Sequence, residues 1–398
     1  MENDKNLLNS YILTKLGYKK IDDILNEKSI SMEKENISQR INLNLCNKHG
    51  ELEKVKYINN NGKMKVLLIK TETGIDLEAP INHIFYVLNK HGYFICKKAE
   101  ELKDGDILIS RNGDNFANEK PLITMNDAYL IGNLYSICFL ELIKNTTGEY
   151  IEINLENENI KNLLAENLSE YLDISDIDEN LYISNDYSKI KDFVNRYNIN
   201  ERISKLIVNS NIQTQRSFLK GFFDINSIID NDSIKKEITN DSLIMEIQLM
   251  LKNMGIISKK KDNELIIKGR EIIDFYNYIG FNNIDYEEAV LNINLNKSDF
   301  YIIPNIKELI ESYYHSVENK TKRYDLRKFE YTRENILELL KMNGNEHLKN
   351  LILIVINENI CYDKIVKIEK TDKKHVFDFD MIDTNTYIIN SFITHNTL

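Results

Sequence analysis

Apolar and polar positions alternate with a period of two at both ends of the chain and with a period near 3.6 through its middle. That contrast predicts two kinds of structure in one polypeptide. Near the start, residues 10–14 (SYILT) form a short apolar run, Lys15-Leu16-Gly17 reads as a turn, and residues 18–21 resume the run. Apolar, β-rich runs at 55–58, 65–71, 84–88 and 107–110 read as further strands. Thr73-Gly74 and the LKDGD at 102–106 supply turns between them. Residues 111–115 (RNGDN) read as a loop and a boundary.

Between about 120 and 350 the pattern becomes helical. It predicts a helix over 127–142, a β-run at 149–155, a helix at 160–172, a strand at 181–184 and a helix at 189–197. The order then repeats. A helix begins near Arg216 and ends around Asp224, an amphipathic helix at 241–254 stops at Gly255, a strand follows at 264–268, and a helix at 270–279 stops at Gly280. Gly132 and Gly221, 89 residues apart, sit at equivalent points of the two copies, so a pseudo-twofold domain is expected. From about 362 the β pattern returns, at 364–370, 376–381 and 387–392. An all-β module interrupted by an α/β insertion is therefore expected, with spans 1–115, 120–350 and 355–398.

Composition narrows the function. The formal charge is −11 over 398 residues, which argues against a chain whose main business is holding a polyanion, unless its bases cluster. No apolar run approaches the roughly 20 residues a membrane span needs, and MENDKNLLNS at the start is too polar for a secretory signal. Cys46, Cys96, Cys138 and Cys361 are scattered without a C-x-x-C pair, so neither a structural zinc site nor a disulfide framework is expected. An intracellular, monomeric protein with no membrane partner is the simplest expectation. The abundance of Asn, Ile and Lys leaves a lone Asn or Lys with little functional weight.

The chain ends Ser391-Phe392-Ile393-Thr394-His395-Asn396-Thr397-Leu398. An Asn side-chain amide can attack its own backbone carbonyl, forming a succinimide and breaking the bond to the next residue. An adjacent imidazole that hydrogen-bonds the scissile oxygen accelerates this step. His395 precedes Asn396, and Thr397 offers a hydroxyl that can accept an acyl group.

With its flanking segments, this terminus resembles the C-terminal splicing region of inteins: residues 376–381 (VFDFDM), 386–391 (TYIINS) and His395-Asn396-Thr397. Residues 10–21 (SYILTKLGYKKI) are similar to the family's N-terminal splicing region, 74–83 (GIDLEAPINH) to its second N-terminal motif, and 102–108 (LKDGDIL) to the strand that follows. The resemblance implies an all-β Hint horseshoe built from both chain ends and autocatalytic protein splicing without a cofactor. Host protein segments on either side would be its partners. It also implies roles. His83 would activate the N-terminal scissile amide, Asp378 would assist the middle steps, His395 and Asn396 would perform cyclisation, and Thr397 would be the acceptor. Three positions depart from the family pattern. Pro80 stands where the family has a Thr, Asn385 where an imidazole is often found, and Met1 has no nucleophile for the first acyl shift. N-terminal acyl transfer is therefore expected to be absent in the chain as written.

In the middle, residues 129–137 (YLIGNLYSI) and 218–227 (FLKGFFDINS) resemble the two signature helices of a LAGLIDADG (DOD-type) homing endonuclease, and 243–257 the helix after the second. The implied fold is a pseudo-twofold αββαββα domain, making the whole chain α+β. Gly132 and Gly221 would let the two helices pack closely. Such a nuclease needs a carboxylate at the end of each helix to hold divalent metal. Those positions are Ile137 and Asn226, so Mg²⁺ is expected only if the endonuclease is active after all. Asp224 falls at the family's non-catalytic acid, and Glu141 one turn further along the first helix. The surface expected to face DNA is acidic, with Glu152, Glu156, Glu158, Glu166, Glu170, Asp173, Asp176, Asp178 and Glu179 around one base, Lys161. Lys320, Lys322, Arg323, Arg327 and Lys328, with Tyr324 and Phe329 interleaved, form a basic cluster. Double-stranded DNA is at most a weak partner on this reading.

Three functions remain open at this point. One is a self-splicing or self-cleaving element with a degenerate nuclease. The second is a working site-specific DNA endonuclease with vestigial splicing ends. The third is a scaffold that has lost both activities.

Overall fold

Strands from both ends of the chain interleave in one antiparallel sheet of 14 strands. The computed structural model describes residues 10–31, 35–155, 157–177, 180–293, 302–318 and 323–396. The sheet order runs Lys374–Met381, Leu52–Met64, Asn44–Cys46, Tyr11–Thr14, Thr386–Ile389, Phe392–His395, Ile84–Leu88, Ile107–Arg111, Ile360–Lys370, Val66–Thr71 and Leu77–Pro80. C-terminal strands thus lie inside an N-terminal array: Thr386–Ile389 pairs with Tyr11–Thr14, and Phe392–His395 with Ile84–Leu88. The alternation of the sequence is the cause. Ile12, Leu45, Val55 and Ile58 from the first part bury against Phe377, Phe379, Met381, Tyr387 and Ile389 from the last. The two sets share one core, so apolar burial drives the two ends together.

The expected strand at 387–392 is instead a hairpin. Asn390 and Ser391 have φ of 46° and 75°, which makes a two-residue turn between Thr386–Ile389 and Phe392–His395. Asn390 is held there at three points. Its N–H donates to Tyr11 O at 2.8 Å, its Oδ1 accepts from Tyr11 N–H at 2.7 Å, and its Nδ2 donates to Asp76 O at 2.9 Å.

The chain divides into two compact units. The first holds the described residues of Met1–Asp114, Lys252–Gly255 and Phe300–Leu398, the second those of Asn115–Leu251 and Ile256–Asp299. This division differs from the expected 120–350 insertion. The helices Lys307–Ser316, Arg333–Leu339 and Glu346–Val355 fall in the first unit. Contacts within that unit tie them there: Tyr362 Oη donates to Val355 O at 2.7 Å, and His91 Nδ1 lies 2.5 Å from Glu308 Oε2.

In the second unit, helices Met125–Ser136 and Ile212–Asp224 start where a side chain can take the first free N–H groups. Thr124 accepts from Asp127 N–H and Asn211 from Thr214 N–H. One small sheet runs Tyr150–Ile153, Asn180–Ser184, Ile174–Ile177; the other runs Ser227–Ile229, Ser233–Glu237, Glu264–Lys268, Lys259–Lys261. The expected helix at 127–142 is two helices. Cys138, at φ 54°, breaks it, and Phe139–Asn145 begins anew. Glu141 therefore belongs to a separate helix rather than to the next turn of the first.

Candidate active site

His83 lies in the turn between Leu77–Pro80 and Ile84–Leu88. Its N–H donates to Pro80 O at 2.9 Å and its carbonyl accepts from Ala99 N–H at 2.7 Å. The side chain is 3% exposed, and its Nε2 has no hydrogen-bond partner among the described residues. The ring meets Phe85 edge-on at 5.1 Å and Tyr387 at 6.2 Å between centroids. Burial pushes its pKa down, and the nearby His395 adds to that, while Asp378 opposes it. A neutral ring with an unpartnered nitrogen is poised to accept or pass a proton.

Asp378 sits on Lys374–Met381, opposite Asn59 of the neighbouring strand. It is buried, and its Oδ1 accepts from Tyr387 Oη at 2.6 Å and from Phe379 N–H at 2.9 Å. Burial, and then the charge of Asp378, raise the Tyr387 hydroxyl well above its usual pKa, so it stays a donor. Neither Tyr387 nor Asn390 stands out in the sequence as functional. A two-residue polar break in an apolar run was the available signal for Asn390, but Asn-Ser marks a hairpin less strongly than Asn-Gly.

His395 ends the last strand. Its register against Ile84 and Thr386 sets it beside the strand that follows His83. The His395 Nδ1 lies 2.9 Å from the carbonyl oxygen of Asn396. That contact is a hydrogen bond when Nδ1 carries the proton. The Asn396 N–H donates to Asn385 O at 2.9 Å, and its side-chain Oδ1 is buried without a partner among the described residues. Thr397, the expected acceptor, lies outside the described residues. The structure thus brings Asp378 and His395 each within electrostatic reach of His83, and puts His395 on the carbonyl that cyclisation would open.

The second unit carries the paired glycines. A Cβ on Gly132 would lie 2.1 Å from Phe218 O, and one on Gly221 2.1 Å from Tyr129 O. Backbone therefore packs directly on backbone, and Asn133 Nδ2 reaches Gly221 O at 2.8 Å. At the helix ends, however, the donor set does not fit a divalent metal. Ile137 caps the first helix, and its side chain has no ligand atom. Asn226, at φ 51°, is neutral. Between these ends lies a buried lysine. Lys236 Nζ donates to Ser136 Oγ at 2.5 Å and to Ile225 O, and Ser136 Oγ donates to Ile225 O at 2.9 Å. Burial lowers the lysine pKa to about 7.

Asp224 does not substitute as a ligand, since it accepts from Tyr129 Oη at 2.7 Å and from the N–H groups of Asn282 and Asn283. Burial raises its pKa to about 6. Among the described residues, no group of three or more His, Cys, Asp or Glu is placed to hold a metal. Lys161 is buried and paired with Glu158 at 3.1 Å, so it offers no phosphate contact. Of the expected acidic surface, Glu156, Asp178 and Glu179 lie outside the described residues, as do Lys320 and Lys322 of the basic cluster.

The profile of the intein splicing domain matches residues 11–396. Replication factor C small subunit of Pyrococcus furiosus is 27% identical over 57% of this chain and 26% of its own length. The chain thus spans about a quarter of the length of the curated relatives it matches. A crystal structure of an Ssp DnaB mini-intein variant aligns over 99% of both chains at 10% identity and a TM-score of 0.30. The structure of I-DmoI in complex with DNA and Mn aligns over 38% of this chain and 97% of its own at 16% identity and a TM-score of 0.27.

Proposed function

This chain belongs to the intein splicing domain family, and on that premise we propose that it cleaves its own backbone after Asn396 by side-chain cyclisation, within a protein-splicing reaction on flanking host segments. The Asn396 amide nitrogen attacks the Asn396 carbonyl carbon. The new C–N bond closes a succinimide, the bond to Thr397 breaks, and a proton from the amide ends on the departing amine. The developing negative charge falls on the carbonyl oxygen, which lies beside His395 Nδ1, a donor to it when that nitrogen carries the proton. That contact, at 2.9 Å, carries the reading. His83 is assigned to the N-terminal scissile amide, Asp378 to the middle steps and Thr397 to the acceptor role, each only where a Cys or Ser nucleophile opens the splicing element. The buried, neutral imidazole and the carboxylate held by Tyr387 support those assignments.

The test is a fusion with a host segment after Leu398. Release of that segment should leave a succinimide on the chain, seen as a mass one water below that of the Asn-terminated product. Asn396→Ala should abolish release. If that variant cleaves as fast as the parent, the assignment is wrong.

The second unit is assigned to a LAGLIDADG-type endonuclease domain that does not cut DNA. The backbone contact at Gly132 and Gly221 supports the type. Ile137 and Asn226 at the helix ends, with Lys236 between them, support the loss of activity. Double-stranded DNA is then a weak partner, and Mg²⁺ has no role. Site-specific, Mg²⁺-dependent cleavage of a DNA library by the purified chain would overturn this and revive the reading of an active homing nuclease.

A further inference from the structure

We propose that Glu53 is a positioning residue for cleavage at Asn396, acting through residues 383–386 and the carbonyl of Asn385; the inference rests on the C-terminal reaction proposed above. The strand Leu52–Met64 opens with its polarity reversed, since Leu52 is 41% exposed while Glu53 is 6% exposed. Burying a carboxylate is costly unless donors surround it. Four do. Glu53 Oε1 accepts from the N–H groups of Asp383 at 2.6 Å and Thr384 at 2.9 Å. Its Oε2 accepts from Thr384 Oγ1 at 2.7 Å and Asn47 Nδ2 at 3.2 Å. Burial alone would raise the carboxyl pKa, but these hydrogen bonds outweigh it and hold the group below the usual range.

Three of the four donors belong to one short turn, and that turn carries Asn385. Its φ of 55° is a left-handed conformation that an Asn side chain tolerates but that the surroundings must hold. Thr384 Oγ1 extends the clamp, lying 2.8 Å from Thr386 Oγ1 and accepting from Thr386 N–H at 3.3 Å. Thr386 in turn hydrogen-bonds Lys48 N–H through its Oγ1 at 3.2 Å. The product of this network is the direction of one carbonyl. Asn385 O accepts the Asn396 N–H at 2.9 Å, and Thr386 pairs with His395 in the adjoining register. The attacking residue is thereby gripped on its backbone nitrogen while His395 engages its carbonyl. Asn385 itself has no imidazole to offer. Its backbone, locked by Glu53, orients Asn396 instead.

The experiment uses the full chain fused to a host segment after Leu398, comparing the parent with Glu53→Gln, Thr384→Val and Asn396→Ala. Release is timed well below the melting temperature of every folded variant, and amide hydrogen exchange is read at Asn396 and at Tyr11–Thr14. Glu53→Gln should slow release by about ten- to a hundredfold, the scale of a misplaced reacting group. Exchange at Asn396 should rise while the core strand stays protected. A merely structural role would lower the melting temperature and leave both readouts at Asn396 unchanged. Thr384→Val, which removes one of the four donors and keeps the carboxylate, should give a smaller loss, and it decides the question if Glu53→Gln does not fold. Release at the parental rate in folded Glu53→Gln, or in Thr384→Val if that is the only folded variant, overturns the inference. Parental release from Asn396→Ala would instead overturn the cyclisation reading on which it rests.

Discussion

Tyr387 Oη donates to Asp378 Oδ1 at 2.6 Å, joining two strands of the sheet that share no backbone ladder. The same tyrosine ring lies against His83. One side chain from the C-terminal part of the chain therefore touches a group assigned to the middle steps and one assigned to the first. Tyr387→Phe leaves the buried carboxylate one donor short, which costs about 1–3 kcal/mol. Urea unfolding should show that loss in the midpoint, with the slope unchanged. An unchanged midpoint would mean that water or another group replaces the hydroxyl.

His395→Ala removes the donor to the Asn396 carbonyl. Loss of one such donor costs about 10²-fold or more in rate. Timed release of a segment fused after Leu398 should slow on that scale while circular dichroism stays at the parental level. Equal rates would place the stabilisation of the oxygen elsewhere.

Gly132→Ala drives a methyl into the backbone of the Ile212–Asp224 helix, where 2.1 Å is available. The helices must separate, at a cost of about 1–3 kcal/mol or more. Gly148→Ala in the same unit is a fitting control, because its nearest neighbour is 4.0 Å away. Thermal melts should separate the two variants clearly. Equal melting temperatures would contradict the close helix packing.

Lys236 gives the second unit a pH signature. Burial depresses its folded pKa to about 7, below the unfolded 10.5. Between those values the unfolded chain binds more protons than the folded one, so this group makes stability rise with pH across that window. Below about pH 7 both states are charged and the full burial cost is present. Lys236→Met should be more stable than the parent near pH 7, with the gap closing toward pH 10. A constant difference across that range would show that the amine is not buried as described.

Adjacency made part of the site readable. His395 and Asn396 are neighbours in the chain, so their shared chemistry needs no fold to be seen. The glycines Gly132 and Gly221 were readable as equivalent because the pattern around them repeats. Lys236 is not legible in the sequence as a site residue, although Ile234 and Lys236 share a strand face and both are buried. A lysine two positions from a buried isoleucine is a period-two signal, but Lys235 beside it makes the pair look like solvated surface. Glu53 was hidden for the opposite reason, since the exposed Leu52 reads as core.

The sequence by itself determined the alternation that makes both ends β, the helical repeat between them, and the adjacent His395-Asn396 pair proposed to react. These depend on spacing and on side-chain chemistry, which are local. Tertiary structure alone decided which distant groups meet. His83 and Asp378 are 295 residues apart in the chain and come within electrostatic reach because the apolar faces of the first and last strands share one core. It also decided that the turn at Asn385 is held by Glu53 and that a lysine fills the place between the helix ends. A buried charge goes where donors or carbonyls can satisfy it, and that requirement is met by the folded backbone rather than by neighbours in the chain.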